Sequence, residues 1–157
     1  MPQIVKGGKY IFGWSRVSKN GEIKINNEAM IEYDFNIGDK VILLPGSSYS
    51  EGFGIKSIKR IKKSKLKDIL ENNPTLVNFM VNMGDTILYK DKYLSWTKIN
   101  ENNSIKLPLE TLSKYEITPE MKLLSVRGSW LSLGFVAKGR LIEEAKNTQK
   151  LKYSNKN

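Results

Sequence analysis

The chain carries one unit twice. Residues 14–56 align without a gap to residues 96–138 when 82 is added to each number. Identities fall at Trp14/Trp96, Asn20/Asn102, Ile23/Ile105, Lys24/Lys106, Glu28/Glu110, Tyr33/Tyr115 and Lys40/Lys122. They continue at Gly46/Gly128, Ser47/Ser129, Ser50/Ser132, Gly52/Gly134, Phe53/Phe135 and Lys56/Lys138. Many other pairs are conservative, such as Arg16/Lys98, Val41/Leu123 and Asp34/Glu116. A duplication of this kind decides the fold before any local pattern does, because each copy is one supersecondary unit and the two must arrange a common core. Upstream, Ile4 to Phe12 reads as strand, Gly7-Gly8 turn and strand. Thr86 to Leu94 has the same shape once one residue is gapped before the tryptophan.

Within one copy, Asn20-Gly21 is a strong hairpin signal, and Asn102-Asn103 also tolerates positive φ. The return strand Glu22-Ile23-Lys24-Ile25 alternates, isoleucines inward. A short helix is expected from Glu28 to Tyr33, with Ala29, Met30 and Tyr33 on one face; Pro108 suits the first turn of its counterpart. Gly38-Asp39 marks a turn, Val41 to Leu44 a buried strand, and Phe53 and Ile55 a last strand. The core should then include Ile23, Ile25, Val41, Ile105, Leu107 and Leu123. Between the copies, Lys63 to Glu71 has helical spacing up to the Asn73-Pro74 break. A second short helix through Leu76, Phe79 and Met80 should end near Gly84. Arg140 to Lys146 reads as a helix. The expected organisation is a first repeat over 1–61, a helical, basic connector over 62–85, a second repeat over 86–147 and a polar tail over 148–157.

Composition limits the chemistry. There is no cysteine and no histidine. Thiolate metal sites, cysteine nucleophiles and Ser-His-Asp triads are therefore excluded, and the expectation is a protein that is not an enzyme, with no cofactor and no metal. The N-terminal residues have no signal-peptide core and no apolar run reaches membrane-spanning length, so the expected location is the cytoplasm, with no membrane partner. The formal net charge is +10, which favours a polyanionic partner. Codon usage in an AT-rich genome, which enriches lysine and asparagine together, is the competing explanation.

The string of hairpin, Ile23-Lys24-Ile25, Glu28 helix, Ile37-Gly38-Asp39 and Val41 resembles the AbrB/SpoVT-like family of swapped-hairpin β-barrels. The second copy matches at Ile105-Lys106-Leu107-Pro108 and Glu110. It departs with Pro119-Glu120 where the family turn has Gly-Asp, and the first copy departs with Asn26 where the family has proline. The resemblance covers about 30 residues in each copy and implies a mainly β (α+β) fold. Two AbrB-like ββαβ repeats would close a pseudo-two-fold swapped-hairpin barrel within one chain, with short helices between the repeats and at the C-terminus.

The resemblance further implies a transcriptional regulator that binds duplex DNA with the cations around its hairpins. By position these are Arg16, Lys19 and Lys24, with Lys98 and Lys106 in the second copy. Glu101 stands opposite Lys19 and weakens the second half, and Glu22 stands where the family often has arginine. A second basic element runs from Lys56 to Lys67 with seven cations, of which Lys59, Arg60, Lys62 and Lys63 are candidate phosphate contacts. Trp14 and Trp96 read as paired core residues before base-stacking platforms. Glu28 and Glu110 read as helix-start residues favoured by the helix dipole before a catalytic pair. Ser47, Ser50 and their copies lie in Gly-rich turns without a nucleotide-binding pattern around them. Two other readings stay open: an antitoxin-like protein-interaction module, and a barrel that binds RNA or a small anion. The choice between a monomer and a homodimer is also open.

Overall fold

The computed structural model describes residues 3–4, 10–46 and 51–146 and is mainly β with short helices. The first copy supplies β1 (Gln3–Ile4), β2 (Tyr10–Arg16), β3 (Glu22–Lys24), α1 (Asn27–Glu32), β4 (Lys40–Pro45), β5 (Phe53–Ser57) and α2 (Ile58–Lys62). The connector forms α3 (Lys67–Asn72) and α4 (Pro74–Val77). The second copy repeats the order with β6 (Thr86–Tyr89), β7 (Lys92–Lys98), β8 (Ser104–Lys106), α5 (Leu109–Lys114), β9 (Lys122–Arg127), β10 (Leu133–Val136) and α6 (Arg140–Lys146). Among the described residues no helix is long and apolar enough to cross a membrane. The Gly7-Gly8 turn, residues 47–50 and the tail 148–157 lie outside the described residues.

The strands of the two copies pair with each other. β2 pairs with β9, aligning Trp14 with Leu124, and β7 pairs with β4, aligning Trp96 with Ile42. Exchanging the copies, with 82 added to the residue of one and subtracted from the residue of the other, turns one register into the other. Two ladders map onto themselves under the same offset: Ile23 faces Ile105 between β3 and β8, and Phe53 faces Phe135 between β5 and β10. Equal residues facing each other at two such pairs define where an approximate two-fold passes. The one-residue gap before the tryptophan is a β-bulge: Ile11 and Gly13 of β2 face consecutive residues Val126 and Ser125, leaving Phe12 extra. Phe12 packs into the central core.

That core draws on both copies. Ile23, Ile25, Val41, Ile105, Leu107 and Leu123 are all within one buried cluster with Phe53 and Phe135. Alternation along β4 sends Val41 and Leu43 into it and Ile42 and Leu44 to the other sheet face. On that outer face the connector covers Ile42, Leu44, Leu94 and Trp96, while α6 covers Ile11, Trp14, Leu124 and Val126. The two tryptophans are thus buried, and Trp96 donates its indole N–H to the Val81 carbonyl at 2.7 Å.

The expected barrel does not close as a ring of backbone hydrogen bonds. The sheet is open, in the order β1-β2-β9-β10-β5-β4-β7-β6, and β3 and β8 form a separate ribbon. The outer edges of β2 and β7 are already engaged by β1 and β6 over their first residues. Beyond them, side chains tie the ribbon down: Ser15 Oγ donates to the Lys24 carbonyl at 2.8 Å, and Thr97 Oγ1 to the Lys106 carbonyl at 3.3 Å. Gly21 completes the ribbon. Its φ is +86°, and a Cβ there would sit 2.1 Å from the Leu107 carbonyl oxygen. Asn103, its counterpart, takes the same left-handed region at φ 58°.

The connector differs from the expected helices. The segment 63–71 is not one helix: α2 begins earlier, where Ser57 Oγ accepts from the Arg60 N–H, and Ser64 breaks the run by turning its hydroxyl back to the Ile61 carbonyl and accepting from the Leu66 N–H. The second helix stops at Val77, because Phe79 adopts φ 59° and turns its ring onto Trp96 at 4.8 Å.

Candidate nucleic-acid interface

Arg16 ends β2 and Lys98 ends β7, so the offset makes them equivalent. The strand register places each directly opposite another cation: Arg16 faces Lys122, and Lys98 faces Lys40. All four are exposed. Like charges directly opposite in an antiparallel ladder destabilise it by a few tenths to about 1 kcal/mol, and this sheet holds two such pairs at equivalent places. Lys40 is partly compensated, its Nζ lying 4.2 Å from the centre of the Phe79 ring and 5.8 Å from that of Trp96. Lys40 and Lys122 were not singled out from the sequence, although they are an identity of the repeat; only the cross-strand register reveals what they face.

The remaining hairpin candidates divide. Lys19 is exposed at the tip, where Ser18 Oγ accepts from the Glu22 N–H at 2.9 Å and Gly21 N–H donates to the Ser18 carbonyl. Lys24 is half-buried and faces Ser104. Lys106 is exposed but stands opposite Glu22, whose carboxylate also accepts from Ser104 Oγ at 3.1 Å. The ribbon is therefore of mixed charge, while the strand ends beside it are cationic.

The basic stretch separates in the same way. Lys56 is buried. Its Nζ donates to Ser132 Oγ at 3.0 Å, and burial, with the charge of Lys92, pushes its pKa down to about 8. Arg60 is turned inward. Its guanidinium lies 4.8 Å from the Trp130 ring centre and 5.3 Å from that of Tyr33, and it donates to the carbonyls of Trp130 and Glu32. Both side chains thus make contacts within the protein, and Arg60 also lines the cleft described next. Lys59, Lys62 and Lys63 remain exposed. Lys59 and Lys63 line, with Lys40, a cleft of about 520 Å³ between α2, the α1–β4 turn and the β9–β10 loop. Lys40 therefore belongs to both groups, opposite Lys98 in the ladder and beside Lys59 and Lys63 in the cleft.

The β9–β10 loop is where the Gly-Ser repeat string finds its use. Ser129 Oγ accepts from the N–H groups of Leu131 and Ser132, both at 3.2 Å. The Tyr33 hydroxyl lies 2.7 Å from the carbonyl oxygens of both Ser129 and Ser132, and burial pushes its pKa up to about 12. Arg127 Nε donates to Glu32 at 2.7 Å. The loop of the second copy is thus held by side chains of the first. Trp130, at its tip, is 48% exposed; its position in the first copy is Ser48, so the repeat identities pass over it. Compared with protein-family models and with curated proteins, the chain matches none.

Proposed function

We propose that the protein is a tandem AbrB-like DNA-binding regulator whose two repeats interleave into one pseudo-two-fold body. On this reading it grips duplex DNA with the cations at the ends of β2, β4, β7 and β9. The observation that carries the reading is the equivalent pair of like-charge matches, Arg16 with Lys122 and Lys98 with Lys40. A phosphate backbone lying across both pairs would neutralise them and release counterions. The inter-copy pairing supports the swapped-hairpin relationship. The hydroxyl ties from Ser15 and Thr97 would do in this chain what ladder bonds do in a closed barrel.

The test is a fluorescence-anisotropy titration against random and genomic duplexes at about 50 and 200 mM salt, with an expected log–log slope near −0.9 per phosphate contacted. Replacing Arg16 and Lys98 together with alanine should weaken binding and make the slope shallower by about two units. Binding weaker than about 10⁻⁴ M to every duplex at the lower salt would make the charge compositional.

A further inference from the structure

We infer that the cleft between α2, the α1–β4 turn and the β9–β10 loop is a site for one nucleotide, its base stacked on Trp130 and its phosphate held by Lys59, Lys63 and Lys40. The inference goes beyond the duplex reading and shares only Lys40 with it. The cleft's volume of about 520 Å³ falls in the range of small-molecule sites. A single exposed aromatic is ordinary on a protein surface, but this indole is fixed from beneath. Its loop is anchored by Tyr33, Lys56 and Arg60 and capped internally by Ser129. The Arg60 guanidinium sits between the rings of Tyr33 and Trp130, and with Arg60 against the ring nearly half of Trp130 is still open to solvent. A rigid, solvent-facing ring loses little entropy when a planar ligand stacks on it.

The electrostatics select the rest of the ligand. Lys40, Lys59 and Lys63 line the cleft against Asp34 and Asp39, and one Asp39 oxygen already accepts from the Asn36 N–H at 2.9 Å. A planar ring joined to an anionic group matches both features; a neutral ring or a bare phosphate matches one. Under the repeat offset Ser48 stands at the position of Trp130, so one bound nucleotide per chain is the expected stoichiometry. The nucleotide could be free in solution or belong to a single strand, and the chemistry recognised is the same.

Intrinsic fluorescence of the full chain, with calorimetry for stoichiometry, tests the inference. The probes are the four ribonucleoside monophosphates, a short single-stranded oligonucleotide, adenosine and inorganic pyrophosphate. The expected result is saturable quenching with one nucleotide per chain and markedly weaker binding of adenosine and of pyrophosphate. Tighter binding of the monophosphates identifies a free nucleotide as the ligand; tighter binding of the oligonucleotide identifies a strand. Trp130→Ala should lower affinity by about tenfold or more and remove the quenching, because Trp14 and Trp96 are buried, while Trp130→Phe should restore most of the affinity. Lys63→Glu, at an exposed position, should also weaken binding. The Arg16→Ala, Lys98→Ala protein should keep nucleotide binding, which separates failure of this site from failure of the duplex face. Absence of saturable quenching below about 1 mM, pyrophosphate binding as tightly as the nucleotides, or an unaltered affinity in Trp130→Ala would each overturn it.

Discussion

Tyr33 and Tyr115 occupy the same place in the two copies, both buried at the end of the short helix, yet they hold different things. Tyr33 reaches across to the β9–β10 loop of the second copy, while the Tyr115 hydroxyl donates to the Tyr93 carbonyl of its own hairpin at 3.0 Å. The helices that follow the last strands differ too. α2 carries Lys59, Arg60 and Lys62; α6 carries glutamates as well as cations and serves mainly to cover Trp14 and Leu124. The inward positions have stayed matched because a common core tolerates little divergence. The outward positions were free to specialise. The result is a body whose core positions match between the copies while the cleft beside Trp130 draws on unlike residues of the two.

The shared core is most vulnerable to substitution at the axis, where the two copies meet. Phe53 and Phe135 face each other, with ring centres 5.2 Å apart, and both are almost fully buried. Phe53→Ala and Phe135→Ala should each cost about 3–5 kcal/mol. The two losses should be similar, and each variant should unfold in urea as one transition. A biphasic curve, or one substitution that costs almost nothing, would mean that the copies do not share a core.

A smaller effect separates the equivalent lysines Lys56 and Lys138. Lys138 is exposed and pairs with Glu51 at 3.2 Å; Lys56 is buried against Ser132, and its pKa is lowered from 10.5 to about 8. The folded form therefore loses its proton before the unfolded chain does. The penalty for a buried ammonium is fully present below pH 8, and stability should rise with pH from about 8 to about 10.5 by on the order of 3 kcal/mol. Above pH 10 the trend is opposed. Tyr33, raised to about 12, and Tyr115, also raised by burial, stay neutral in the folded state while the unfolded chain ionises. Urea midpoints measured between pH 7 and 11 should thus pass through an alkaline maximum. Lys56→Met should abolish the rise and be more stable than the parent at pH 7, whereas Lys138→Met should change stability by less than about 1 kcal/mol, as expected of a surface pair. A Lys56→Met protein with the parent's pH profile would show that the ammonium is not desolvated.

Those lysines also mark where reading the chain succeeds and where it stops. The offset, the Asn20-Gly21 turn, the alternation around Ile23 and Val41, and the gap before the tryptophan are all local or periodic, and each corresponds to a definite piece of backbone. The direction of a long cationic side chain is neither. Nothing in Lys56 to Lys67 distinguishes the lysine that is buried, the arginine that stacks inward and the lysines that stay in water; strand phase and the break at Ser64 decide it. Lys40 and Lys122 were visible as a repeat identity, but what they face depends on pairing between copies. Trp130 has no partner under the offset, so a search by likeness between copies misses the residue by which they differ most.

The smallest effect concerns the turn before the second long strand of each copy, where Gly38 corresponds to Glu120. Both donate their N–H at 2.7 Å to the end of the neighbouring strand, Gly38 to the Ile99 carbonyl and Glu120 to the Val17 carbonyl. Both adopt positive φ, 93° at Gly38 and 72° at Glu120. The hydrogen bond requires that backbone whichever residue is present, so the glutamate carries a left-handed conformation that glycine adopts without strain. Glu120→Gly should relieve it, less the extra freedom glycine gains in the unfolded chain, for a net gain of up to about 1 kcal/mol. In the first copy a Cβ at Gly38 would meet nothing within 4 Å, so Gly38→Ala tests the backbone term alone and should cost about 1 kcal/mol. Opposite signs for the two substitutions, read from urea midpoints at constant slope, would assign the difference between the turns to φ. If Glu120→Gly destabilises by 1 kcal/mol or more, the glutamate side chain contributes something in the second copy that the first does without, and the turns are not equivalent.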